Sequence, residues 1–224
     1  MDIFEGDFTV IMGASGAGKS TLLYALSGMD SITSGQVRYK SKVISGLSEK
    51  EMARLRAREF GFVFQQTNLV SNLTLLENVA VAGYVGKIMT PKEADERAAE
   101  LLEQMKVGPA KNRLPAQVSG GEAQRAALAR GVINSPGLLF ADEPTGALNR
   151  SGSDEVLGLL TELNTRGQSI LMVTHDIRSA LRGNRILYLE DGRVLDDLEL
   201  PPYDPAGLQN REARLTTWLS GLRW

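Results

Sequence analysis

The chain has 224 residues, a length that suits one α/β domain, or one domain with an insertion, and is too short for two full domains. Its 25 Lys and Arg against 27 Asp and Glu give a formal net charge of −2, so we expect no nucleic-acid partner. The absence of cysteine excludes disulfides and thiolate metal sites. The sequence has no apolar run of roughly 18 residues and no signal peptide at its start, which predicts a soluble, cytoplasmic chain that contacts a membrane only through a partner.

The stretch GASGAGKST, residues 13–21 and called the phosphate loop below, matches the pattern G-x-x-x-x-G-K-[ST]. It follows an apolar run at 8–12 and precedes a helical pattern that ends at Gly28, which is the context that the pattern requires. Glycines let successive backbone N–H groups approach the β- and γ-phosphates of a nucleotide, while Lys19 adds a positive charge and Ser20 offers a hydroxyl to Mg²⁺. The residues expected to bind the nucleotide here are Gly13, Ala14, Ser15, Gly16, Ala17, Gly18, Lys19, Ser20 and Thr21.

Continuous apolar runs predict parallel strands covered on both faces. They lie at 8–12, 60–64, 138–141, 170–173 and 186–189, with helical patterns between them. This alternation predicts an α/β fold with a mostly parallel sheet, and the phosphate loop makes it the core of a P-loop nucleoside triphosphatase. Ligands of such sheets bind beyond the carboxyl ends of the strands, so we expect the groups that follow four of these runs to converge on one crevice. These groups are the phosphate loop, Gln65, Asp142 with Glu143, and His175.

The residues between 65 and 138 carry helical signals and no comparable strand, which indicates an inserted α-helical subdomain. Thr90 and Glu93 form a capping box there, and Ser48 and Glu51 open an earlier helix in the same way. We therefore predict a single domain over 1–224, in which 1–65 and 137–224 form the catalytic core and 66–136 form the helical subdomain.

Two further helices are predicted from apolar residues at helical spacing in the C-terminal third of the chain. One follows Glu155 and ends at Gly167, and the other lies within 204–224 and ends at Trp224. The apolar side of the last helix, which includes Leu215 and Leu219, is expected to pack on the core of its own domain rather than to form a docking surface.

The run LLFADEP places Asp142 and Glu143 at a predicted strand end. Alone, the two carboxylates are typical of a solvated turn, but together with the phosphate loop they indicate a Walker B element. Asp142 can then hold hydrated Mg²⁺ through a water, and Glu143 can polarise the water that attacks the γ-phosphorus. His175, the single histidine, also ends an apolar run, where it can donate a hydrogen bond to the γ-phosphate and orient the catalytic carboxylate. Lys19, Glu143 and His175 are therefore the predicted catalytic residues.

The stretch VSGGE, whose residues 119–122 are called the signature segment below, opens an alanine-rich helix. Ser119 and Glu122 form a capping box, which explains these two residues but not the two glycines, each of which costs about 1 kcal/mol in a helix relative to alanine. Glycines permit close backbone approach, so this helix start is a second candidate anion site. Its candidate contacts are Ser119, Gly120, Gly121 and Glu122.

The motifs GASGAGKST, GFVFQQ, VSGGE, LLFADEPTGALN and VTHD occur in the order found in ATP-binding cassette subunits, and they cover most of the chain. The chain resembles most the cassettes of lipoprotein-releasing, macrolide-export and antimicrobial-peptide-resistance transporters. The resemblance implies a dimer in which residues 119–122 of one subunit contact the ATP on the phosphate loop of the other. It also implies that Gln65 senses Mg²⁺ and the γ-phosphate, with Ser20 and Asp142 as the other metal-site residues, and that the helical subdomain receives a coupling helix of a membrane permease.

The sequence departs from the family pattern at three places. Val118 and Glu122 stand where the family commonly has Leu and Gln, and Asn149 replaces an aspartate that helps to couple the two sites. Only twelve residues precede Gly13, where the family has a further strand and an adenine-stacking aromatic. We expect Phe4 and Phe8 to be strand core rather than that aromatic.

Two alternatives to an ATPase subunit of a transporter remain at this point. A clamp ATPase acting on DNA shares the SGG-type signature, but it usually carries long heptad segments, which this sequence lacks. A regulatory nucleotide-binding subunit with weak hydrolysis is suggested by Asn149 and by the short N-terminal segment.

Overall fold

A computed structural model describes residues 1–222 as a twisted sheet with helices on both faces. Strand order in the main sheet is β4-β5-β6-β1-β7-β8, in which all neighbouring pairs are parallel except β7 with β8. A separate antiparallel pair joins β2 and β3. The strands are β1 (Phe8–Met12), β2 (Arg38–Tyr39), β3 (Lys42–Val43), β4 (Phe60–Phe64), β5 (Leu138–Asp142), β6 (Ile170–Thr174), β7 (Arg185–Glu190) and β8 (Arg193–Glu199).

Within the described residues there are eight α-helices, and most of them begin after a residue whose side chain caps the helix. All four capping boxes of the α-helices are of the Ser/Thr-x-x-Glu type, at the starts of α2, α3, α4 and α5. The helices are α1 (Lys19–Leu26), α2 (Glu49–Glu59), α3 (Leu75–Gly86), α4 (Pro91–Gln104), α5 (Gly120–Val132), α6 (Arg150–Thr165), α7 (Ile177–Ala180) and α8 (Leu208–Gly221).

The five predicted strands are confirmed as β1, β4, β5, β6 and β7, and their alternate residues divide between two apolar clusters. Val10 of β1 faces the larger cluster, to which α3 to α6 and α8 contribute, while Ile11 faces the smaller one with residues of α1 and α2. Both side chains are fully buried. Because strand side chains alternate between the faces of a sheet, a continuous apolar run is what a sheet covered on both faces requires.

The segment between β4 and β5 contains α3, α4, α5 and two short 3-10 helices, Gly108–Ala110 and Pro115–Gln117. The predicted helix starts at Ser48, Thr90 and Ser119 are all confirmed. Each capping box supplies a hydroxyl acceptor to an N–H of the first turn and a carboxylate to the N–H of the cap residue, so these boundaries are determined locally.

The C-terminal helix packs on the core as expected, since Leu215 and Leu219 are buried in the larger cluster. Trp224, the predicted end of that helix, lies outside the described residues. Within residues 1–222 no helix combines the length and the apolar composition that crossing a bilayer would require.

The expectation for Phe4 was wrong, whereas that for Phe8 is confirmed. Phe8 is buried in β1, but Phe4 lies before the strand with 54% of its surface exposed. The guanidinium of Arg185 lies 5.1 Å from the Phe4 ring centroid, a cation–π contact at the surface. The turn at Gly6, whose φ is +81°, separates Phe4 from the pleat that buries Phe8.

Candidate nucleotide-binding site

Four neighbouring strands of the sheet deliver the predicted residues to one edge. In register, Phe64 of β4 lies beside Asp142 of β5, and Met12 of β1 lies beside Thr174 of β6. Since these strands are parallel, the groups that follow them leave the sheet at the same edge. The phosphate loop, Gln65, Glu143 and His175 therefore all follow strand ends at this one edge of the sheet.

The phosphate loop adopts a conformation that requires glycine at three positions. Gly16 and Gly18 have φ of +85° and +95°, in the left-handed region that other residues rarely adopt. At Gly13 a Cβ atom would lie 2.3 Å from the backbone oxygen of Leu189, so a side chain cannot be placed there without moving β7. At these three positions the loop therefore presents backbone rather than side chains.

Backbone donors of the loop point away from the protein's own acceptors. Within residues 1–222, the N–H groups of Gly16 and of residues 18–21 donate to no protein acceptor, and α1 has no side-chain cap. The Lys19 Nζ lies beside them and donates to the carbonyl oxygens of Gly13 and Ala14 at 2.8 and 2.9 Å. Five free N–H groups beside an ammonium group form an anion site that fits a polyphosphate.

The carboxylate of Asp142 is held by two hydroxyls of α1. Ser20 Oγ donates to Oδ1 at 2.8 Å, and Tyr24 Oη donates to Oδ2 at 2.7 Å. Burial, and secondarily the hydrogen bond to Asp142, raises the pKa of Tyr24 to about 12. A hydroxyl and a carboxylate at the end of the phosphate loop are hard oxygen donors, the kind of ligand that Mg²⁺ prefers, so the residues present fit this cation.

Glu143 is fixed by three hydrogen bonds from the end of β6. Thr174 Oγ1 donates to Oε2 at 3.0 Å, and both the backbone N–H and Nδ1 of His175 contact Oε1, at 3.1 and 2.7 Å. The residue has a φ of +45°, a backbone conformation that is rare outside glycine and is concentrated at functional sites. This turn directs the side chain of Glu143 towards β6, whereas Asp142 points to α1.

The contact between His175 and Glu143 determines what the imidazole can do. A carboxylate only accepts hydrogen bonds, so Nδ1 carries the proton in this arrangement. Nε2 of a neutral ring is then an acceptor, and only an imidazolium can hold Glu143 and donate to a phosphate at the same time. The His175 side chain is 65% exposed, so the ring is largely open to solvent.

Gln65 lies directly after β4 with its side chain against the loop that follows Glu143. A Cβ atom placed on Gly146 would lie 2.9 Å from its Nε2. The structure therefore brings Gln65 beside the segment that carries the two predicted acidic residues, although it forms no hydrogen bond with either of them within residues 1–222.

The signature segment lies at the start of α5. Ser119 Oγ accepts a hydrogen bond from the N–H of Glu122 at 3.3 Å, and Glu122 Oε2 accepts from the N–H of Ser119 at 2.8 Å and from its hydroxyl at 2.7 Å. These bonds from Ser119, together with the nearby cations Arg125 and Arg113, lower the pKa of Glu122. The tip of α5 thus already contains one anion of its own.

A cleft of about 440 Å³ separates the signature segment from the start of α6. Arg125 of α5 forms an ion pair with Glu155 of α6 across it, and Asn149 caps α6 by accepting from the N–H of Gly152 at 2.9 Å. No residue of the phosphate loop lines this cleft. The two predicted anion sites of the chain therefore do not share a pocket.

Two residues of the site were missed by the sequence analysis. Tyr24 is four positions after Ser20, and this helical spacing could have indicated that both hydroxyls reach the same partner. Thr174 precedes His175 at the strand end, but its bond to Glu143 joins residues 31 positions apart, so no local signal indicates it.

The sheet, the loop and the paired carboxylates define a P-loop nucleotide-binding protein. A family model described as ABC transporter matches residues 1–146, and the chain therefore belongs to the ABC transporter family. Its fold is that of the family's ATPase module: a dimeric structure of a post-hydrolysis state of the ATP-binding cassette MJ0796, bound to ADP and Pi, superposes with a TM-score of 0.83. That chain is 39% identical, and the match covers 91% of this chain and 89% of that one. A second dimeric structure of MJ0796, described as a bacterial ABC transporter cassette, matches equally well.

Curated relatives include macrolide export ATP-binding/permease proteins called MacB. The protein of Marinobacter nauticus is 41% identical over 231 residues, covering 100% of this chain and 35% of the relative. That of Paracoccus denitrificans is 42% identical over 208 residues, covering 92% of this chain and 31% of the relative. The chain thus spans about a third of the length of these relatives. Neither the DNA clamp nor the purely regulatory subunit gains support from the comparisons.

Proposed function

We propose that the chain binds ATP with Mg²⁺ and hydrolyses it as the ATPase of an ABC transporter, energising a membrane permease through ATP-driven dimerisation. The observation that supports this most directly is the phosphate loop with its five free N–H groups, next to a glutamate that is already oriented by the end of β6. A binding site alone would not need the second feature. An ATPase needs both, because phosphoryl transfer depends on positioning and on neutralising charge.

The roles of the residues follow from their contacts. The free N–H groups of the phosphate loop and the ammonium of Lys19 bind the phosphates, and Lys19 can exchange its two loop carbonyls for phosphate oxygens. Ser20, Asp142 and Gln65 would hold Mg²⁺, with Asp142 acting through a water. When bound, Mg²⁺ neutralises charge on the phosphate oxygens.

Glu143 is the proposed general base that polarises the attacking water. Thr174 and His175 hold its carboxylate in place, and Oε2, which accepts a single bond from Thr174, keeps a further lone pair for the water. His175 in its doubly protonated form can retain Glu143 through Nδ1 and donate to the γ-phosphate through Nε2.

The dimer is proposed from the separation of the two anion sites. Because the signature segment opens on a cleft that contains no residue of the phosphate loop, we place it against a nucleotide held by another subunit rather than against that of its own chain. A second copy, or a similar cassette, placed head to tail would bring residues 119–122 to that nucleotide. The two solved structures of MJ0796 are described as dimeric, which supports a dimer of cassettes.

The permease is proposed to bind the helical subdomain, residues 66–136, which is inserted between the core segments 1–65 and 137–224. Four exposed apolar residues follow a helical i, i+3, i+4, i+7 spacing along α3 and the turn after it, and an exposed stripe of this kind is typical of a protein contact. They are Val81, Tyr84, Val85 and Ile88. The cassette would thus lie on the cytoplasmic face of the membrane and reach it through the permease. The names of the curated relatives also include the word permease.

The substitution Glu143→Gln tests the enzymatic part of this proposal. Glutamine keeps the size of the side chain and one acceptor oxygen but is not a base, so we expect ATP hydrolysis to fall by about 100-fold or more while ATP binding is retained. ATP-loaded dimers should then accumulate and be visible by size-exclusion chromatography. Hydrolysis is measured by phosphate release.

The control is Glu162→Gln, which neutralises an exposed carboxylate on α6. It should leave both hydrolysis and the monomer–dimer distribution unchanged. If Glu143→Gln hydrolyses ATP at the rate of the parent protein, Glu143 is not the base and the proposed mechanism is wrong.

A further inference from the structure

Tyr24 is the polar side chain of the site to which the ATPase mechanism gives no role. It lies four residues after Ser20 on α1, and side chains at this spacing share one face of a helix. Its hydroxyl donates to Oδ2 of Asp142, while Ser20 donates to Oδ1 of the same carboxylate. One helix thus holds both oxygens of the acidic residue at the end of β5.

The two hydroxyls are not equivalent as supports. Ser20 is the residue that offers its lone pairs to Mg²⁺, so the direction of its O–H bond depends on the cation. Tyr24 carries its hydroxyl on a ring that packs against the smaller apolar cluster, together with Leu22 and Leu26. The position of the phenol is therefore determined by packing, and its bond to Asp142 does not depend on whether the cation is bound.

The Tyr24 hydroxyl donates to Asp142 Oδ2 at 2.7 Å. Without this bond, one oxygen of Asp142 would lose its protein partner, and the carboxylate could rotate about its terminal torsion, for which the energy wells are broad. Asp142 would then be held through Ser20 alone.

We propose that Tyr24 is a positioning residue for the magnesium site, holding Asp142 in the orientation in which it and Ser20 receive the hydrated cation together. This inference rests on the proposed binding of ATP with Mg²⁺. The inference states that the phenolic hydroxyl affects the binding of the cation and not that of the phosphates. The reason is that the Tyr24 side chain bonds to Asp142 and, within residues 1–222, to no atom of the phosphate loop.

The test is Tyr24→Phe, measured by the fluorescence of a labelled ATP analogue titrated with Mg²⁺. Loss of a residue that orients a metal ligand typically weakens metal binding by 10- to 100-fold, and we expect the Mg²⁺ concentration at half-saturation to rise by about tenfold. Binding of the same analogue in EDTA should be unchanged. A Tyr24→Phe variant with the Mg²⁺ midpoint of the parent, or with equally weakened binding in EDTA, would overturn the inference.

Tyr39→Phe is a matched control. Tyr39 donates to Glu59 at 2.9 Å, and burial raises its pKa to about 12 as well, so the substitution removes a bond of the same kind away from the site. Both variants should show similar thermal unfolding, but only Tyr24→Phe should shift the Mg²⁺ midpoint. An equal shift in both would contradict a specific role for Tyr24. If the parent protein itself shows no Mg²⁺-dependent binding, the proposed function fails, whereas a normal parent with a normal Tyr24→Phe variant refutes this inference alone.

Discussion

Helices α1 and α5 each have a glycine at or just before their first residue at a predicted phosphate site, yet their N-termini are built differently. The N-cap of α1 is Gly18, which is in the left-handed conformation and offers no side-chain cap, so the first N–H groups of the helix are left free. α5 starts at Ser119 with a complete capping box, in which Glu122 occupies the hydroxyl and the N–H of the cap residue. At this tip only the N–H groups of Gly120 and Gly121 lack an acceptor within the described chain.

The difference shows which of the two sites is complete in one chain. The phosphate loop combines free donors with the ammonium of Lys19, so it can bind a polyanion without help. The tip of α5 carries a carboxylate in place of a cation. This negative charge already interacts with the positive end of the helix dipole, which an incoming anion would otherwise occupy alone. The tip of α5 is therefore the weaker of the two anion sites by itself, which agrees with the proposed head-to-tail dimer.

The strongest test of this contrast is Lys19→Ala. The ammonium provides charge-assisted hydrogen bonds to the phosphates, so its loss should weaken ATP binding by about 100-fold. Binding is measured by equilibrium titration with a fluorescent ATP analogue, with Lys50→Ala, an exposed lysine of α2, as the control. Unchanged affinity in Lys19→Ala would show that the phosphate loop is not the primary site.

The second test separates folding from partner contact at Gly120. A Cβ atom there would meet only Leu148 Cδ2 at 3.7 Å, an ordinary contact, so Gly120→Ala should fold normally and stabilise α5 by up to about 1 kcal/mol. If a second subunit's nucleotide approaches this backbone, ATP-driven dimerisation in the Glu143→Gln background should nevertheless weaken by about tenfold, as judged by analytical ultracentrifugation.

Gly158→Ala is the matched control for that experiment. Gly158 lies inside α6, and a Cβ atom there would meet nothing within 4 Å, so the helix gains the same intrinsic stabilisation. Its dimerisation should equal that of the Glu143→Gln parent. Equal dimerisation in the two alanine variants would mean that Gly120 does not face a partner.

The smallest expected effect is that of Glu122→Gln. Glutamine can keep the capping box while removing the negative charge that the tip of α5 presents to an incoming phosphate. We expect the ATP concentration for half-maximal dimerisation in the Glu143→Gln background to fall by about threefold, an effect typical of one charge at a helix N-terminus. Glu93→Gln, in the equivalent capping box of α4, should have no effect. A rise in the required ATP concentration would show that the carboxylate itself contributes to the contact.

How much of this could be predicted depended on whether a signal was local. β1 and β6 are buried at every position, so their apolar runs identified them. β8 is exposed at six of seven positions and offers neither a run nor an alternation, while β2 and β3 have two residues each, and all three were missed. Phe4 was misassigned because its sequence neighbours resemble those of a strand, although the turn at Gly6 places it outside the sheet.

The amino-acid sequence by itself determined the phosphate loop, the helix caps and the five core strands, because each depends on residues that are close in the chain. Tertiary structure decided the order of the strands, the attachment of Tyr24 to Asp142, and the three bonds that orient Glu143. These contacts join residues that are 31 to 118 positions apart. They form only when parallel strands bring their carboxyl ends to one edge, so their geometry is a property of the assembled sheet.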